Sequence, residues 1–270
     1  MATPIPLKKL KPFRRLIRSF TLIINYKTII ITILAVISSH LCFEFGLTAK
    51  FPDMLVGTAI VFPVVFSIGS AFARRESALQ RLSEFKGHAV ALWLGTRDWP
   101  EGKSGKMAKE ARGLIREMLE QMRVMFMTTK RKEWRQNERK MYHLFSKLSK
   151  LTMELRHLGV QSGEISRISQ YVSKIIIAFD NMKVIHHYRT PVTLRSYSKI
   201  FIYIFPILYG PYFASTFHDY AARLEYVMPV LYSFILVSLD NIQDHLENPF
   251  DEVGEDDIVI DAGETTDLLD

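Results

Sequence analysis

Hydrophobic positions concentrate in two blocks, at about residues 20–73 and 198–242, on either side of a highly charged middle. The first block predicts membrane spans at 28–47 and 54–72, and the second at 199–217 and 224–239. The first two are about 20 residues each, which is enough to cross a bilayer core of ~30 Å. Four spans make two hairpins, so we expect the polar middle and both termini on one side of the membrane.

The stretch 56–75 is apolar and free of charge until it reaches Arg74 and Arg75. Pro63 lies in its interior, and small or hydroxyl residues occur on more than one helical face. In hydrocarbon, small residues allow close helix contact, and proline is tolerated where neighbours satisfy the freed carbonyl. This pattern predicts a helix that packs against protein or lines a water-filled space, and we favour a pore.

The middle, residues 74–197, has the pattern of amphipathic helices. Apolar residues recur at steps of three and four, as expected for one buried face per helix. Breaks are predicted at 99–102, near 127–129 and at 159–163. The fold class is therefore all-α, with a helical bundle outside the membrane joined to the spans. The apolar positions are Leu114, Ile115, Met118, Met122 and Met125, then Met141, Leu144, Phe145, Leu148, Leu151 and Leu155, then Ile165, Ile168, Val172, Ile175, Ile176 and Phe179.

The chain has a net charge of +7, but its charged residues are distributed unevenly along the sequence. The basic segment 1–27 is interpreted as the cytoplasmic flank of the first span, with an organelle transit peptide as the alternative. The bundle is rich in Lys and Arg but lacks interleaved aromatic platforms, so no nucleic-acid partner is predicted. Trp93 and Trp134 are expected to be packing residues. Positive-inside topology or an anion-attracting vestibule wall explains the basic excess better.

Enzymatic chemistry finds little support in the sequence. No Ser/His/Asp set, glycine-rich phosphate loop or metal-ligand spacing stands out. His186 and His187 are adjacent and do not share a helix face, which favours a surface pair over a metal site. The single cysteine, Cys42, excludes an intrachain disulfide. We therefore predict that the protein is not an enzyme.

The run 239–250 (LDNIQDHLENPF), followed by 255–261 (EDDIVID), resembles the post-membrane sequence of bestrophins and their bacterial relatives. The Asn-Pro-Phe at 248–250 next to an acidic run is the most specific part. Stretches at Phe62-Pro63 through Gly69, at Arg74, Ala78 and Arg81, and at Arg189-Thr190-Pro191 with Tyr197 and Pro206 also resemble the family.

Several positions depart from the family pattern, which indicates a divergent member. Glu76 replaces a usual Asn, and Leu82 and Ser83 replace a usual Trp pair. Thr193 replaces a proline, and Asp251 replaces the usual Gly after Asn-Pro-Phe.

The resemblance implies a homopentamer whose second spans line a central pore for chloride or similar monovalent anions. It places a hydrophobic neck at Phe62, Phe66 and Ser70, on a helix whose shape depends on Pro63 and Gly69. Rings of Phe can gate by dewetting, and their edges are partly positive toward an anion. Alternatives left open are that Phe62 and Phe66 only pack, that cations permeate, or that the spans merely anchor a scaffold.

The resemblance also implies a candidate calcium clasp at Asn248, Glu255, Asp256 and Asp257, since hard cations prefer six or more oxygens. A helix-capping role, or salt bridges to the basic N-terminus, is the favoured alternative, and no cofactor is required. The segments predicted are 1–27, 28–73, 74–197, 198–240, 241–261 and a disordered tail at 262–270. The membrane is a plasma or organelle membrane, thylakoid included.

Overall fold

The computed structural model describes residues 24–50, 53–101, 105–189, 191–216, 224–254 and 256–269. All regular structure in these ranges is helical, which confirms the all-α prediction. The predictions for the basic N-terminal segment fall on residues 1–23, which lie outside the described part. The helices are α1 Tyr26–Glu44, α2 Asp53–Asp98, α3 Gly105–Phe126, α4 Arg131–Glu154, a 3-10 helix Leu155–Leu158, α5 Ser162–His187, α6 Val192–Leu208, α7 Gly210–Thr216, α8 Leu224–Leu246 and α9 Ala262–Thr266.

The chain divides into two compact units. The first comprises residues 1–73 and 189–247 and is called the membrane unit below because it contains the four predicted spans. The second, called the bundle, comprises residues 74–188 and 248–270. The boundary between the bundle and the second pair of spans, predicted at 197/198, therefore lies at 188/189 in the structure. The predicted acidic segment 241–261 is also divided, because residues 241–246 continue helix α8 and only residues from Asn248 onward belong to the bundle.

Within the membrane unit, α1 packs against α6, α7 and α8. Asn25 caps α1 by accepting hydrogen bonds from the amides of Lys27 and Thr28. The Asn25 side chain also donates to Asn241 (2.7 Å), and Asn241 donates to the Thr28 hydroxyl (3.3 Å). These bonds fasten the start of α1 to α8. A small apolar core of Val64, Ile202, Leu236 and Val237 joins α2, α6 and α8.

The predicted third span, 199–217, is not one helix, because α6 ends at Leu208 and α7 begins at Gly210. Pro211 has no N–H, so it cannot donate to the carbonyl of Ile207 four residues earlier. The Ser38 hydroxyl of α1 donates to that carbonyl instead (2.7 Å). Gly210 allows this approach, since a Cβ there would lie 2.4 Å from the Ser38 Oγ.

One helix among the described residues, Tyr26–Glu44, is long and apolar enough to cross a membrane, with a mean hydropathy of 1.7 over its best window. It coincides with the first predicted span, but begins two residues earlier and ends three residues earlier. The remaining three spans stay predictions.

Within the bundle, α3 packs against α4, and α4 against α5. The predicted breaks are confirmed, because α2 ends at Asp98, α3 at Phe126 and the 3-10 helix at Leu158. Gly159 ends the 3-10 helix with a φ of +78°, the left-handed conformation that glycine adopts without steric cost. Trp93 and Trp134 are buried, which confirms them as packing residues.

The prediction of a disordered tail at 262–270 is wrong for the described residues up to Leu269. Residues 262–266 form α9, capped by Asp261 and packed against α3. Ala262, Thr265, Thr266 and Leu269 are buried, and the Arg112 guanidinium donates to the Thr266 carbonyl (2.8 Å). The prediction of disorder relied on the polar composition of this segment. The buried side chains of Ala262 and Leu269 are nevertheless sufficient to pack the short helix against the bundle.

Candidate functional site

Helix α2 has two different faces along the predicted pore stretch. Val64, Ser67 and Ala71 are buried within the chain, at 2%, 0% and 0% exposure. Phe62 and Phe66 lie on another face and are 61% and 54% exposed. Exposed aromatic side chains on an apolar helix need lipid, a partner subunit or a pore to cover them. The structure therefore leaves the side chains of the two predicted neck phenylalanines free to face lipid, a partner subunit or a pore.

Phe62 and Phe66 contact each other edge to face, with ring centroids 4.5 Å apart. They are one helical turn apart, so their rings form a continuous apolar surface along the helix. One turn further, the Ser70 hydroxyl donates to the Phe66 carbonyl (2.8 Å), so the helix itself satisfies this polar group. Gly69 has open space around its Cα, and no atom lies within 4 Å of where a Cβ would stand.

Pro63 lies inside α2, which continues through it. The Pro63 carbonyl accepts a hydrogen bond from the Ser198 hydroxyl of α6 (3.3 Å). Ser198 is fully buried. This hydrogen bond joins α2 to α6 at Pro63, the residue next to Phe62.

The acidic segment forms a compact loop whose carboxylates bind its own backbone. Asn248 donates to Asp251 (2.7 Å), and Asp251 accepts from the Val253 amide (3.1 Å). Asp257 accepts from the Gly254 amide (2.8 Å). The Asp256 carbonyl accepts from the Arg75 guanidinium of α2 (2.7 Å). These bonds give Asn248, Asp256 and Asp257 partners inside the loop or on α2, but none of the bonds caps a helix, so the helix-capping alternative stays a prediction. Glu255 lies outside the described residues.

Burial, together with a hydrogen bond to Asp251, raises the pKa of Asp257 to about 8. At neutral pH the Asp257 carboxyl therefore keeps its proton. Asp251 stands where bestrophins usually have glycine, so the paired carboxyls are a feature of this chain. In the described ranges, no group of three or more His, Cys, Asp or Glu is close enough to hold a metal ion. The described part of the loop does not form a calcium cradle, and calcium binding stays a prediction.

Two contacts that sequence reasoning missed hold the loop to the bundle. Glu252 accepts two hydrogen bonds from Arg123, both 2.6 Å long. Phe250 is 2% exposed and stacks on Phe126, with ring centroids 4.6 Å apart and ring planes 12° from parallel. No spacing rule links residues this far apart in sequence. The only signal was an apolar Phe inside a polar segment.

The histidine pair at 186–187 is split by the structure. His186 stacks on Trp134, with centroids 4.6 Å apart and planes at 4°, and is half-buried. His187 is exposed. The predicted surface pair therefore holds only for His187.

Carboxylates buried near the end of α8 are paired within the membrane unit. Glu247 is 2% exposed and accepts from Arg195 of α6 (2.6 Å). Lys199 donates to Asp244 (2.8 Å), and Tyr203 donates to the fully buried Asp240. The acidic residues of this α8 segment thus fasten α6 to α8 instead of lying free at a surface.

The sequence matches no protein-family model and none of the curated proteins with which it was compared. Solved structures do match. One is a variant of a bacterial bestrophin homologue from Klebsiella pneumoniae, with a TM-score of 0.72 and 15% identity over 90% of this chain and 94% of that one. This chain has the bestrophin fold. A second variant of the Klebsiella homologue matches with a TM-score of 0.68 and 13% identity over 94% of this chain and 95% of that one.

A structure described as a membrane protein matches with a TM-score of 0.67 and 15% identity over 95% of this chain and 96% of that one. The bestrophin fold therefore extends over nearly the whole chain, and the low identity agrees with a divergent sequence.

Proposed function

We propose that the protein is an integral-membrane, bestrophin-like ion channel that passes chloride or similar monovalent anions without enzymatic turnover. Five subunits surround a central pore, and α2 of each lines it. The bestrophin fold and the predicted spans 54–72, 199–217 and 224–239 support this arrangement. Both termini lie on the cytosolic or stromal side of the membrane.

One observation carries the proposal: Phe62 and Phe66 lie exposed and in mutual contact on a face of α2 that none of the described residues covers. Repeated around a fivefold axis, such a pair makes two stacked aromatic rings. A constriction of this kind can exclude water until the pore widens, and the ring edges favour an anion over a cation. Ser70, whose hydroxyl is satisfied internally, makes a wider third ring.

The neck is tested by single-channel currents in planar bilayers. The double variant Phe62→Ala and Phe66→Ala should raise conductance or remove gating, because both constrictions widen. Val61 and Val65, exposed at 55% and 60% on the same helix, supply the matched control. Val61→Ala with Val65→Ala should leave conductance unchanged. If the phenylalanine variant behaves like the wild type, the neck is not at these residues.

The assembly is tested by mass measurement of the detergent-solubilised protein. A pentamer is expected at about five times the subunit mass of 31.3 kDa. A monomer would refute the pore, because one α2 cannot enclose a path.

No cofactor is required for the proposed conduction. The carboxyl groups of Asp251 and Asp257 are engaged with backbone amides, with Asn248 and with each other. We therefore assign the loop a structural role, and its calcium dependence is tested below.

A further inference from the structure

The outward face of α4 carries a row of cations. The helix buries Trp134, Met141, Leu144 and other apolar residues against the bundle core. Its opposite, exposed side begins with Arg131, Arg135 and Arg139, spaced by four residues, with Lys132 and Gln136 beside them. Residues four apart share one helical face, so these side chains form a single patch about 12 Å long.

The four cations of this patch have no hydrogen-bonding or ion-pair partner in the described part of the chain. The nearby acids belong to other lysines. Glu133 pairs with Lys130 (3.1 Å) and Glu138 with Lys183 (2.7 Å). Like charges four residues apart repel each other and weaken a helix. Repulsion among these cations therefore destabilises the helix, and a bound anion would remove that repulsion.

The same five residues lie along an open, groove-like cavity of about 530 Å³. This volume lies within the range of small-molecule sites, roughly 300–1,000 Å³. Arginine guanidinium groups bind phosphate oxygens in a bidentate manner, and three of the four cations are arginines. The preceding residue, Lys130, makes no side-chain cap, so the amides at the start of α4 add positive potential beside the patch. A single monovalent anion would neutralise only one of four charges.

We propose that this face of α4 is a binding site for an anion bearing two or more phosphate groups, either a free polyphosphate or the phosphorylated headgroup of a lipid. It is separate from the pore, and its occupancy can be measured without conduction.

Calorimetric titration of the full-length protein in detergent with tripolyphosphate tests the site. The variant Arg135→Gln with Arg139→Gln should bind at least about tenfold more weakly, because each lost charge-assisted contact is substantial. Lys147→Gln with Lys150→Gln removes two exposed charges from the same helix beyond the cavity, and should change affinity less than about twofold. Equal losses in the two variants would show diffuse attraction and overturn the proposal.

Two further variants and ligands sharpen the result. Arg135→Lys with Arg139→Lys keeps the charge and should bind several-fold more weakly than the wild type. Full affinity in this variant would refute recognition by guanidinium groups. A short-chain phosphatidylinositol bisphosphate in mixed micelles, against phosphatidylcholine, supplies the lipid arm. Binding of either phosphate ligand, lost in the glutamine variant, supports the site and identifies the source.

Absence of binding by both phosphate ligands would overturn the proposal. Tighter binding of a single-stranded oligonucleotide than of tripolyphosphate, lost in the same variant, would instead assign the patch to nucleic acid. The unfolding midpoint of each variant, followed by tryptophan fluorescence, should match the wild type, because all substituted side chains are exposed.

Discussion

The ion pair between Arg123 and Glu252 should be much more sensitive to loss of its cation than to loss of its anion. Glu252 is 8% exposed at its side chain, whereas Arg123 is 38% exposed. The two hydrogen bonds are both 2.6 Å long, and the bond to Glu252 raises the pKa of Arg123. Glu252 also has a φ of +58°, in the left-handed region that non-glycine residues seldom adopt.

Arg123→Gln leaves a nearly buried carboxylate without a cation. Breaking a fully buried pair costs about 3–5 kcal/mol, and we expect about 2–3 kcal/mol here because Arg123 reaches solvent. Glu252→Gly removes the carboxylate and lets Arg123 hydrate, at about 1–2 kcal/mol, while glycine relieves about 1 kcal/mol of backbone strain. The net cost of Glu252→Gly should be about 0–1 kcal/mol. The two changes break the same ion pair, yet their effects on the free energy of unfolding should differ by about 2 kcal/mol.

Urea titration of the full-length protein in mild detergent, followed by tryptophan fluorescence, measures both. Trp93, Trp99 and Trp134 all lie in the bundle, so the signal reports the unit that contains this pair. Arg116→Gln on the same helix is the control. Arg116 and its partners Glu120 and Asp267 are 55%, 58% and 69% exposed, and the loss should stay below about 0.5 kcal/mol. Equal costs for Arg123→Gln and Glu252→Gly, or for Arg123→Gln and the control, would refute this reasoning.

Three other outcomes follow from the acidic loop. The raised pKa of Asp257 means that the folded protein keeps a proton which the unfolded chain releases above about pH 4, so its contribution to stability is lost as pH rises toward 8. Asp257→Asn should remove this loss and stabilise the bundle at pH 8.5 by about 1–2 kcal/mol; an unchanged pH profile would contradict it. Phe250→Ala should cost about 3–5 kcal/mol and Phe250→Leu about 1 kcal/mol, by the same urea titration; equal costs would argue against the stack on Phe126. Bilayer currents should be the same in calcium and in a calcium chelator, and a calcium response lost in Asp256→Asn with Asp257→Asn would establish the clasp instead.

Local patterns predicted the bundle well. Steps of three and four residues identified the buried faces, and Pro100, Thr128 and Gly159 mark where helices end. These features depend on neighbours within a turn, and so the sequence carries them directly. Gly210 and Pro211 indicate an interruption of the third span, but the sequence does not show that the Ser38 hydroxyl binds the carbonyl that Pro211 leaves free.

The candidate site was only partly accessible from the sequence. Phe62 and Phe66 were found through helical spacing and the resemblance, and their shared exposure agrees with that choice. The role of Asp251 was not predicted, because its pairing with Asp257 depends on how the loop folds back. Arg123 and Glu252 lie 129 positions apart, and no periodicity connects them. Contacts between distant segments arise from tertiary packing, which a single sequence does not display.

The central claim, an anion channel, is tested most directly by the reversal potential of the purified protein in a planar bilayer across a chloride gradient. We predict a reversal close to the chloride equilibrium potential. A reversal close to the cation equilibrium potential would contradict the proposed selectivity, and the absence of current from confirmed pentamers under all gradients would contradict conduction itself.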